Sequence, residues 1–134
     1  MTRGHPIVPP RRAPRPAGQA EGFLQAAEDV GLLDDDVQLR DAVVTLYVHA
    51  GIAASDVICC ARLGLHATGD NHAEAVALLK KAGAGSHRHL ATLLGLKTKA
   101  GYSHTPASAA DVRKAARAAV QLVEDARSVS PPSG

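Results

Sequence analysis

Three features of the sequence predict an all-α fold, an up-down bundle of four to five helices behind a disordered N-terminal arm. Ala, Leu and Val dominate while aromatic residues make up only 2%. That mixture suits close-packed helices and supplies few of the aromatic or β-branched runs that strands need. Apolar residues recur at i, i+3 and i+4, as at Leu90, Leu93 and Leu94, the spacing of one helical face. Glycines and cap residues divide the chain at short intervals, so consecutive helices are expected to be antiparallel neighbours. With 134 residues the chain can form one domain with a real core.

Residues 1–17 carry Pro6, Pro9, Pro10, Pro14 and Pro16 among arginines, which leaves neither helix nor core available and predicts a disordered basic arm. The helical domain is expected over 18–128, with a disordered tail over 129–134. A first helix runs from Gly18 to Val30 with Phe23, Leu24 and Ala27 on one face, stopping at Gly31. Asp34, Asp35 and Asp36 place three carboxylates where the next helix begins, complementing its positive end. That second helix extends from Val37 to Arg62 and closes at Gly64. Thr68-Gly69-Asp70-Asn71 reads as a turn and N-cap opening a third helix, which ends in Lys80-Lys81 before Gly83. A fourth helix spans about Ser86 to Ser103, because Pro106 disfavours helix at Thr105. Ser108 with Asp111 resembles a capping box for a fifth helix carrying Val112, Ala115, Ala119, Leu122, Val123 and Ala126.

Charge and cysteine usage narrow the function. Four of the fifteen basic residues, Arg3, Arg11, Arg12 and Arg15, fall in the first twenty positions. Eleven then remain against thirteen acidic residues, so the body is not a basic nucleic-acid binder on net charge alone. Cys59 and Cys60 are adjacent within a helix, where side chains diverge by about 100° and a mutual disulfide is badly strained. They are expected to be reduced core residues. The N-terminus lacks the apolar region of a secretory signal, and a cytoplasmic location is expected. From Val43 to Ala61 the chain is almost entirely apolar and about the length of a membrane span. Asp56 lies inside it, at a cost of roughly 2.5–3.5 kcal/mol at a membrane centre, so a buried helix of a bundle, with no membrane, fits better.

The candidate functional residues are polar side chains within these apolar helices. The leucine stripe of the fourth helix continues onto Lys97, Gly101 and His104, so that face either leaves the core or opens a polar site. His49 and Asp56, spaced i, i+7, lie about 20° apart on the second helix with Thr45 beside them, and Lys97 and His104 repeat that spacing. If the two helices run in the same direction, His49 approaches Lys97 and Asp56 approaches His104, as an orienting carboxylate and an imidazole. If they run oppositely, Asp56 meets Lys97. His87 and His89 diverge by about 200° and cannot share a metal. His66 reads as a loop residue, and His72, after the Asn71 cap, can cap, pack or enter a site. Ser55 points to a different face from Asp56, with no nucleophile elbow around it. No glycine-rich phosphate loop, HExxH or paired CxxC motif is present, and neither a metal nor a cofactor is expected.

These placements carry a resemblance to the HEPN superfamily of small helical nucleotide-binding domains, over roughly Val37 to Arg127. It rests on the alanine-rich stretch His49 to Asp56, on Gly69 to Leu79, which resembles the start of the family's third helix, and on Lys97 to His104 before a capped last helix. Catalytic members carry Arg, four to six residues, then His, and cleave RNA without a metal. Here Lys99 and His104 have four residues between them and Lys97 and His104 have six, with lysine where the family has arginine. Lysine supplies a point charge but not the planar fork that grips a phosphate.

In an active member His104 would be the general acid or base at the 2′-hydroxyl or leaving oxygen. Lys97 or Lys99 would stabilise the phosphorane, Asp56 would orient the histidine and Tyr102 would position the substrate. A second alignment sets Tyr102 at the histidine position, which removes the proton shuttle and leaves a binding or dimerisation module. The resemblance implies an RNA- or nucleotide-engaging homodimer of a toxin-antitoxin or defence system, with weak or absent metal-independent ribonuclease activity. A nucleotidyltransferase is the partner such a pair implies. Lys97, Lys99, His49 and His72 are the candidate nucleic-acid contacts. The alternative is a noncatalytic helical scaffold or antitoxin partner, and a third reading makes the basic arm a nucleic-acid tether.

Overall fold

The computed structural model describes residues 18–33, 37–67, 71–83, 85–102 and 105–129, and these form five helices and no strand. They are α1 (Gly18–Leu33), α2 (Val37–Leu63), α3 (His72–Lys81), α4 (His87–Tyr102) and α5 (Ala109–Val129). The expectations placed on the N-terminal arm, residues 130–134, Asp34 to Asp36, the Thr68 to Asp70 turn and His104 lie outside the described residues, while Val129, expected in the tail, is the last residue of α5.

The cap signals act where the sequence puts them. Asn71 accepts the Glu74 N–H at 3.1 Å and starts α3. Ser108 and Asp111 exchange reciprocal bonds of 3.0 Å, each side chain accepting the other's backbone N–H. Gly64 ends α2 at a φ of 76°, in the left-handed region that favours glycine, with its N–H donating to the Cys60 carbonyl. Gly31 does not stop α1, which continues to Leu33. It is exposed, a side chain there would meet nothing within 4 Å, and glycine within a helix lowers stability without breaking the hydrogen-bond ladder.

Helix α2 packs against all four others, which is why it is apolar nearly all round. Its Val44, Val48 and Ile58 join Leu93 of α4 with Leu122 and Val123 of α5 in one buried cluster. Each such leucine contributes roughly 1.5–3 kcal/mol on leaving water. At Gly51 a methyl group would collide with Leu93, with Leu122 close behind, so side chains of α4 and α5 pack directly against the α2 backbone here. Cys59 and Cys60 are free and buried. Leu39–Leu63 is long and apolar enough to cross a membrane, and most of it is buried within the protein.

Pairwise bonds fix the helix directions. Ser86, before α4, donates to Asp125 late in α5, while Lys99 late in α4 pairs with Asp111 early in α5, so α4 and α5 are antiparallel. Val44 shares a crevice with Leu96 and Lys99, and Gly51 lies against Leu93. Cys59 borders a cavity with Leu90. This descending order makes α2 and α4 antiparallel too, the second of the two arrangements considered. The Asp41 carboxylate, early in α2, accepts the Ala107 N–H at 2.9 Å and holds the α4–α5 turn.

Candidate functional site

The antiparallel course of α2 and α4 brings Asp56 and Lys97 to one cavity of about 390 Å³. Its α2 wall is Ile52, Ser55, Asp56 and Cys59, an i, i+3, i+4, i+7 set on one side of the helix. Helix α3 contributes His72, Ala75 and Leu78, with Asn71 at its cap, and α4 contributes Leu90, Leu94 and Lys97. His66 and Ala67 close the remaining side, because the chain after Gly64 folds back along α2. The floor is aliphatic and the rim polar. Leu90 and Leu94 are buried while Lys97 is exposed, so the α4 stripe leaves the core where this site opens.

Asp56 is the electrostatic focus. Burial pushes its carboxyl up to about 6, and the charge of His66 partly opposes that rise. His66 Nδ1 stands 3.8 Å from Asp56 Oδ1, an ion-pair distance beyond that of a hydrogen bond. The same Nδ1 is 3.1 Å from the Ala67 carbonyl oxygen, which can only accept. Nδ1 therefore carries the hydrogen. Cys59 is pushed up to about 12 by burial and by the Asp56 charge, against a hydrogen bond from Ser55 that lowers it. It is a thiol at neutral pH and not a nucleophile. Asn71 spends its side-chain oxygen on the Glu74 N–H, and its amide nitrogen has no partner among the described residues.

The sequence-derived candidates separate into two groups. Asp56, Lys97 and His72 share the cavity. His49 does not, since its ring is exposed and stacks on Phe23 of α1 with centroids 5.3 Å apart. The i, i+7 relation to Asp56 holds on the wheel, yet α1 lies alongside α2 at the level of His49. Lys99 also stands apart, bonded to Asp111 at 3.3 Å beside a crevice of about 10 Å³, room for one water at most. The Tyr102 side chain and His104 lie outside the described residues.

Ser55 and Asp56, expected on different faces, both line the cavity because they straddle its α2 stripe. His66, read as a loop residue, lies in the loop after α2 and stands beside Asp56. Its signal was indirect: Gly64 and the Asn71 cap bound a connection short enough to stay beside the end of α2. Comparison with protein-family models, curated proteins and solved structures finds no match.

Proposed function

We propose that the chain is a HEPN-like protein that engages RNA or a nucleotide through the cavity between α2, α3 and α4, with weak or absent metal-independent ribonuclease activity. One observation carries this reading: a cation, two imidazoles, a carboxyl group and an amide converge over an aliphatic floor in about 390 Å³. Ligand sites typically enclose roughly 300–1,000 Å³ and combine an apolar lining with a few placed polar groups. Lys97 meets a phosphate as a point charge, Asp56 and Asn71 address the polar edge of a base, and the leucines take its face. Binding is favoured over cutting because Lys99 is committed to Asp111. The resemblance carries the further parts of the proposal: a cytoplasmic homodimer of a toxin-antitoxin or defence system, with a nucleotidyltransferase as partner.

Calorimetric titration with adenosine and guanosine monophosphates tests the cavity directly. Wild-type chain is expected to bind at least one of them, and Lys97→Ala to weaken it about tenfold, the scale of one charge-assisted hydrogen bond. Absence of binding, or equal affinity in the variant, would sink the cavity reading. Incubation of labelled single-stranded RNA with EDTA, beside His104→Ala, settles cutting: cleavage abolished by the substitution would move the reading from binder to nuclease. The Lys99–Asp111 pair also favours the noncatalytic scaffold or antitoxin reading, which predicts neither nucleotide heat nor cleavage.

A further inference from the structure

We infer that the outer face of α5, carrying Arg113, Lys114 and Arg117, is a phosphate-contacting track for single-stranded nucleic acid, extending the reading of the cavity from a nucleotide to a polymer. All three side chains are exposed, and none makes an ion pair or hydrogen bond among the described residues. Arg113 and Arg117 are spaced i, i+4, and Lys114 and Arg117 i, i+3, so the three like charges crowd one face and repel. The acidic residue within helical reach is Asp111, three before Lys114. It is buried, and its oxygens are occupied by Lys99 and the Ser108 N–H.

Position within the helix sharpens the point. Arg113 and Lys114 stand in the second turn of α5, near the positive end of the helix dipole, where cations are disfavoured. Helix α3 shows the opposite arrangement, with Glu74 in its first turn and Lys80 and Lys81 in its last. Three like charges on one exposed face, two of them near the helix N-terminus, build a positive field that an anion relieves. A membrane is the poorer partner: the exposed neighbours are Ala109, Ala110 and Gln121, and the apolar face of α5 is committed to the core, so nothing is left to insert. A chain of phosphates suits two arginines and a lysine in a row. The fourth helix links this track to the cavity, with Lys97 at the cavity and Lys99 on the α5 side.

The test is the salt dependence of binding to a fluorescent single-stranded RNA 12-mer, comparing the full wild-type chain with Arg113→Gln/Lys114→Gln/Arg117→Gln. Loss of three phosphate contacts should flatten the slope of log K against log salt by about two, at roughly 0.7 per contact on a single strand. Affinity at low salt should fall at least tenfold. A circular dichroism melt should show the variant folded; if it is not, Arg117→Gln alone should flatten the slope by about 0.7. An unchanged slope in a folded variant overturns the proposal, as does wild-type binding to polyglutamate or anionic vesicles as tight as to RNA. Titrating the variant with mononucleotide separates the two readings. A flattened slope with no mononucleotide binding to either protein removes the cavity and leaves the track, and the reverse pattern removes the track alone.

Discussion

Lys97 and Lys99 stand two residues apart on α4, about 200° around the helix, and the two sides they face differ in how completely their polar groups are matched. On the α5 side, Asp111 is buried and accepts from Lys99 Nζ at 3.3 Å and from the Ser108 N–H at 3.0 Å. The Ser108 backbone bond, ahead of the lysine, holds its carboxyl below the ordinary carboxylate range. On the α3 side, Asp56 is held above that range by burial, with the His66 imidazole 3.8 Å away. The sealed side is a finished structural corner. The open side leaves a carboxyl, an amide nitrogen and a cation at a solvent-accessible rim, where they are free to meet a ligand.

The sharpest way to break this contrast is to remove the two carboxylates in turn. Asp111→Ala discards half of the α5 capping box and leaves the Ser108 N–H without its acceptor. It is expected to lower stability by about 2 kcal/mol, the sum of a lost cap and an unmade partly buried bond, read as a lower midpoint in urea. The contribution of Asp111 is present above the unfolded carboxylate pKa and fades as pH falls, because its folded value is depressed. A loss of less than about 0.5 kcal/mol at pH 7, the range of ordinary surface substitutions, would mean the corner is not structural.

Asp56→Asn should act in the opposite direction. Its folded pKa of about 6 exceeds the ordinary carboxylate value of 3.8, so the folded chain binds more protons than the unfolded one between those values. Stability therefore falls as pH rises through that window. With 39% of the side chain exposed, solvent screening reduces the expected penalty at pH 7 to about 1 kcal/mol. The asparagine variant should be more stable than wild type by about that amount at pH 7 and equal to it near pH 4, measured by urea unfolding at both. Equal stability at both pH values would place Asp56 in a matched environment and erase the difference between the two sides.

How much of this was legible in the sequence follows from the range of each signal. The Asn71 cap, the Ser108–Asp111 box and the leucine stripe ending at Lys97 are local patterns, readable within a few residues, and they appear as expected. The side of α2 on which His49 lies was not readable, because a helix apolar all round does not say which neighbour covers which face. The pairing of His66 with Asp56 depends on a loop folding back, and loop direction leaves no periodicity. Asp56 and Lys97 both stand out in the sequence as polar residues in apolar stripes. What remained open was the relative direction of their helices, a tertiary property set by bonds such as Asp41 to Ala107 across 66 residues.

The smallest expected effect is the most discriminating, because it compares the two lysines themselves. Lys99 is 61% exposed, so its pair with Asp111 is worth only about 0.5 kcal/mol at low salt. A double-mutant cycle of Lys99→Met with Asp111→Asn should recover that coupling and lose it in high salt. The same cycle with Lys97→Met should give about zero, since Lys97 lies across α4 from Asp111. In binding the order reverses: Lys97→Met should weaken mononucleotide affinity while Lys99→Met leaves it unchanged, because only Lys97 borders the cavity. Equal losses of affinity in both variants would mean that the ligand spans both sides of α4, and the boundary between corner and site would have to be redrawn around the whole end of that helix.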